Sequence, residues 1–196
     1  VHPVKAGEEL FSSFGHISNA QLLNSYGFVL PGNSFDTVLI PTQLVVDTCY
    51  ATFKNLEGKK LGEDEVKATW ERRLAMLASN LGEEEQEEAF IVSKYDLVPE
   101  TLADMVQILT MSGDEEVVYA TIAAVAQAKM GQYSHLLDAE KTEGGGEGGE
   151  GRGGSAEEEK ERQAIGADAR TVAEMLVTEE KKVLGDLRVQ LMSEVI

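Results

Sequence analysis

The sequence predicts a mainly α protein, a set of packed amphipathic helices preceded by a small β-and-turn segment. Three observations predict it. Apolar residues recur at spacings of three and four through residues 42–140 and again through 156–196. Residues 1–41 carry instead Gly, Pro, Asn and Ser around short β-like runs. Between the helical stretches, residues 141–155 are a low-complexity Gly/Glu run, read as a flexible, hydrated linker inserted in a loop between two helices.

The elements follow in chain order. Ser18 and Asn19 offer capping oxygens to a short helix over residues 20–26, and Gly27 is a natural stop. Pro31-Gly32-Asn33 signals a turn, and residues 36–40 read as a short strand. Thr42 is expected to cap a helix that packs Val45, Cys49, Phe53 and Leu56 on one stripe and ends at Gly58. A second stripe comprises Val66, Trp70, Leu74, Leu77 and Leu81, with Gly82 as its stop. Residues 83–88, almost all glutamate, read as a solvated turn or frayed helix end. Residues 89–92 fit either an extended stretch or a helix start. Pro99 suits a first helical turn, and Leu102, Met105, Val106 and Leu109 make one apolar face. After Gly113-Asp114, the residues Val118, Ile122, Val125 and Lys129 follow at helical spacing to about Leu137. The last helix is expected to start at a Ser155 cap, with Glu157, Glu158 and Glu159 suited to its positive end. Its stripe is Val172, Leu176, Val183, Leu187 and Leu191, and Gly166 weakens it in the middle.

Composition narrows the function classes. The net charge of −18 repels phosphates, which argues against a nucleic-acid partner. The same field favours a basic partner such as a lysine-rich protein surface, although solubility alone also accounts for it. The single cysteine, Cys49, has no partner for an internal disulfide and fits a reducing compartment. His2, His16 and His135 are scattered, so no metal-ligand spacing appears and no metal is expected. No apolar run is long enough to span a bilayer, so a soluble, intracellular protein without a membrane partner is expected. The opening Val-His-Pro reads as mid-domain sequence and suggests a fragment of a longer protein.

Spacing alone marks no reaction. The serines and histidines form no nucleophile–base pattern, and the glycines at 144–154 lack the Lys-Ser/Thr ending of a phosphate loop. The specific signal lies in residues 6–29. There Ala6-Gly7-Glu8-Glu9, Phe14-Gly15, Ser18-Asn19-Ala20, Leu22-Leu23 and Tyr26-Gly27-Phe28 stand in series. This series resembles the end of a SET domain of the Rubisco large-subunit methyltransferase class. The stretch Leu97-Val98-Pro99-Glu100-Thr101-Leu102 is similar to the start of a helix in that class's substrate-binding domain.

The resemblance implies a division of the chain. Residues 1–41 would be the end of the SET domain, and residues 42–196 a helical substrate-binding domain interrupted by the 141–155 linker. It implies methyl transfer from S-adenosylmethionine to a lysine of a partner protein, or in one branch a histidine. It makes Tyr26 a cofactor or channel residue, and Glu8, Glu9 and Ser18 structural ones. It also puts Phe14 at the place of the class's catalytic tyrosine, where the ring remains and the hydroxyl does not. The class's Asn-His pair for the cofactor lies upstream of the matched segment. An inactive, SET-derived protein-binding module is the alternative that these departures imply. The class occurs in chloroplast, nucleus and cytoplasm, and the sequence does not choose among them.

Overall fold

The computed structural model describes residues 7–8, 13–58, 60–80, 88–143 and 156–194. Among these residues eight elements follow in chain order: α1 (Asn19–Tyr26), β1 (Thr37–Pro41), α2 (Thr42–Glu57), α3 (Glu63–Asn80), β2 (Ala89–Ser93), α4 (Glu100–Thr110), α5 (Glu115–Glu143) and α6 (Ala156–Glu194). The protein is mainly α, as the periodicity predicts, with one two-stranded sheet among the described residues.

The sheet joins the chain's first zone to its helical part. β1 pairs antiparallel with β2, with Val38 opposite Val92 and Leu39 opposite Ile91. Both strands bury alternate residues. Val38, Ile40, Phe90 and Val92 face the helices, while Leu39 and Ile91 face outward. That alternation settles residues 89–92 as extended chain. Four apolar residues in a row conceal it in the sequence.

The inward residues belong to one core. α2 contributes Val45, Cys49 and Phe53, α3 Val66, Trp70 and Leu77, and α4 Leu102, Met105, Val106 and Leu109. α5 adds Val118, Ile122, Val125, Ala126 and Tyr133, and α6 adds Val183, Leu184, Leu187 and Leu191. Burying each of the larger aliphatic side chains contributes about 1.5–3 kcal/mol. Trp70 holds α3 against α2, with its ring 6.0 Å from Phe53 and 5.2 Å from Tyr50. Arg73 lies over the Phe53 ring at 4.2 Å and donates to the Leu109 carbonyl at 2.7 Å. It thereby satisfies one of the carbonyls left open where α4 ends.

Several expectations change in detail. Thr42 is the first helical residue rather than the cap. Pro41 holds the cap position, and Thr42 N–H donates to the Glu88 carbonyl instead. Leu56 is 60% exposed: it shares the angle of the buried stripe but sits in the last turn of α2, beyond Phe53, the last residue that the helix buries. Leu74, Val172 and Leu176 are only half-buried. Pro99 caps α4 from outside the first turn. α5 runs past Leu137 to Glu143, into the first three residues of the expected linker. α6 passes Gly166 without a break. Leu81, Gly82, the acidic run before Glu88, residues 144–155 and the Ser155 cap lie outside the described residues.

Candidate functional site

The segment that carries the resemblance is built around a buried polar knot. Ser18 caps α1 through a reciprocal pair: its hydroxyl accepts from Gln21 N–H, and Gln21 Oε1 accepts from Ser18 N–H at 3.0 Å. Asn19 follows, fully buried. Its Nδ2 donates to Asp36 at 2.8 Å and to the Leu30 carbonyl at 3.1 Å, and its Oδ1 accepts from Leu30 N–H at 2.9 Å. Asp36 also accepts from the backbone N–H of Asn19 and of Thr37. Asn33 adds a bond from Nδ2 to the Ile17 carbonyl. These bonds fix the path from α1 through the Pro31-Gly32 turn into β1.

The knot orients α1 so that its far end meets solvent. Tyr26 is the last helical residue and 56% exposed. Gly27 adopts φ 78°, a left-handed conformation that suits glycine, and turns the chain sharply after Tyr26. Phe28 thereby returns beside Tyr26, with ring centroids 6.3 Å apart. Phe14 closes the group edge-on, 4.8 Å from Tyr26 and 5.5 Å from Phe28. The two sequence-predicted site residues therefore touch, and Phe14 is half exposed. Phe28 is the member that sequence reasoning left out of the site. Its signal was its place two residues after Tyr26 across a glycine.

A second set of rings lies along the chain from the first. His16 stacks on Phe35 at 4.0 Å, and Phe35 lies 6.2 Å from Tyr95. Of the residues read as structural, Ser18 is buried in its cap, Glu8 is exposed, and Glu9 lies outside the described residues. An open groove of about 540 Å³ lies elsewhere, between the end of α2 and the start of α3, lined by Tyr50, Lys54, Leu61 and Lys67 among others. None of the aromatic cluster lines it.

α6 braces the site from behind. Gly32 N–H donates to Glu179 Oε2 at 2.9 Å, and Lys182 reaches Glu179 Oε1 at 2.5 Å. The Lys182 bond is the main cause that holds the Glu179 carboxyl below its usual range, and the Gly32 bond assists. One residue along the helix, Glu180 accepts from the Tyr133 hydroxyl, linking α6 to α5. Burial raises both of these groups above their usual values.

No known family model matches the chain, and no curated protein matches it. Among the described residues there is no group of His, Cys, Asp and Glu side chains that could hold a metal ion. No described helix is long and apolar enough to cross a membrane.

Proposed function

We propose that the chain is part of an S-adenosylmethionine-dependent protein-lysine methyltransferase of the SET type, in which the helical region from residue 42 onward binds the protein substrate. One observation carries this reading. Within residues 6–29, the matched residues separate into two roles. Ser18 and Asn19 tie the backbone down, while Phe14 and Tyr26 form an exposed aromatic face.

S-adenosylmethionine, when bound, supplies a methyl group on a positively charged sulfonium. Aromatic faces suit a cation, since the ring quadrupole attracts positive charge. Phe14, Tyr26 and Phe28 would form one wall against that end of the cofactor. Tyr26 brings a phenol that can orient a nitrogen or the methyl-bearing centre, and the rigid capped helix keeps it in place. The acidic chain favours a substrate with a basic, lysine-presenting surface.

Phe14 favours a second reading, a protein-binding module without catalysis. It keeps the ring of the expected tyrosine and lacks its oriented hydroxyl. Loss of one such donor typically costs about two to three decades in rate. The test uses the full-length protein, labelled S-adenosylmethionine and a lysate of its own cell, with wild type beside Phe14→Tyr. Label on a protein band with wild type supports the enzyme, and Phe14→Tyr is expected to raise the rate by about 100-fold or more. Label with Phe14→Tyr alone supports the binding module. No label from either folded protein overturns the methyltransferase reading.

A further inference from the structure

The β1–β2 ribbon has an outer side that the core does not use. Its outward side chains are Thr37, Leu39 and Pro41 on one strand and Ala89, Ile91 and Ser93 on the other. None is charged, in a chain where 27% of residues are. Leu39 and Ile91 sit directly opposite one another, 54% and 58% exposed. Tyr95, 75% exposed, follows two residues after the end of β2.

The phase of the ladder shows which peptide groups are open. Thr42 N–H donates to the Glu88 carbonyl at 3.0 Å, one step beyond the Pro41–Ala89 pair. Antiparallel pairs alternate between hydrogen-bonded and non-bonded. The bonded pairs are therefore Ile40–Phe90 and Val38–Val92. Residues 37, 39, 41, 89, 91 and 93 turn their peptide groups to the two edges. Ser93 agrees with this phase, since its outward N–H donates to the Asp96 carbonyl at 2.9 Å.

The two edges are not equal. On β1, Pro41 has no N–H, and Thr37 N–H is taken by Asp36 at 3.1 Å. On β2, the local turn uses Ser93, while Ala89 and Ile91 present N–H and C=O in register. α6, the helix against both strands, lies on the inner face, where the strands bury their alternate residues.

We infer that the β2 edge is a docking site for an extended segment of a basic partner protein, added as a third strand. Strand addition draws affinity from main-chain bonds and selectivity from alternate side chains. Here the bonds go to Ala89 and Ile91. Apolar side chains of the segment cover Ile91 and Leu39, and basic ones face the acidic chain. The charge identifies the occupant. A second copy brings another −18 to the contact, whereas a lysine-rich segment is attracted, and exposed Glu88 stands at the entry to β2. The inference requires no cofactor and stands apart from methyl transfer.

The probe is an end-capped peptide of alternating lysine and valine, with alternating glutamate and valine as its control. Amide shifts are followed by NMR, and affinity by fluorescence anisotropy at low salt. The lysine peptide is expected to bind, the glutamate peptide to fail, and the largest shifts to fall on the Ala89 and Ile91 amides. Ile91→Pro removes an outward N–H that the ladder does not use, so it is expected to leave folding intact and weaken binding at least tenfold. Ile91→Lys is a second variant, with the same expected loss through charge on the outer face. Binding that survives both variants, or no binding at millimolar peptide, overturns the inference. Self-association of the protein that Ile91→Pro abolishes also overturns it, in favour of a second copy.

Discussion

Asn19 satisfies a buried carboxylate and both peptide groups of Leu30 at once. Replacing it with alanine leaves Asp36 and Leu30 short of partners inside the protein. Each orphaned group costs about 1–3 kcal/mol, so Asn19→Ala is expected to lose about 3 kcal/mol in denaturant unfolding. Asn19→Asp should be worse still, because it sets a second carboxyl group against Asp36 where the amide now donates. Cys49 gives a contrasting case. Its thiol is 1% exposed, and burial pushes its pKa up to about 12, with Arg73 opposing. Alkylation at pH 8 is expected only after unfolding, which thiol titration with and without denaturant will check. At this scale the sequence showed the Ser18 cap through its local pattern, while Phe14 and Tyr26 were singled out by the resemblance alone. It did not show Asp36 as the partner of Asn19, because that contact joins residues 17 apart through a turn whose path no periodicity encodes.

The elements were legible where one face is buried and the other wet. α4 buries all four residues of its expected stripe. β2 was ambiguous because its outward residue, Ile91, is as apolar as its inward neighbours. The pairing of α5 with α6 was not legible at all, since Tyr133 and Glu180 lie 47 residues apart. That junction makes a pH prediction. Burial raises the Glu180 carboxyl above its ordinary 4.5, Tyr133 and Lys129 pull it down, and Asp36 raises it slightly. A carboxyl raised in the folded chain holds its proton more tightly there than in the unfolded chain. Its contribution is full below pH 4.5 and is lost as pH climbs through the raised value. Stability is thus expected to fall over the interval just above pH 4.5, and Glu180→Gln should flatten that slope in thermal unfolding. Tyr133→Phe, which removes the donor and keeps the ring, should cost about 1–3 kcal/mol at neutral pH.

Across the whole molecule, the boundary expected at residues 41 and 42 is crossed by a sheet, a carboxylate bond and a shared core. The first zone and the helices should therefore unfold together. Native-state hydrogen exchange is expected to give the Val38 and Val92 amides the same opening free energy as Ile122 and Leu184. Separate, lower values for the strands would mean that β1 opens alone. The bond from Gly32 to Glu179 spans 147 residues of chain. During synthesis the chain emerges from its amino-terminal end, so the Gly32 turn exists long before its partner does. The brace behind the aromatic cluster can form only after Glu179 of α6 has left the ribosome. A nascent chain halted before α6 is complete would expose the Pro31-Gly32 turn and the inner face of β1 to solvent. The candidate site is thus made long before it can be finished.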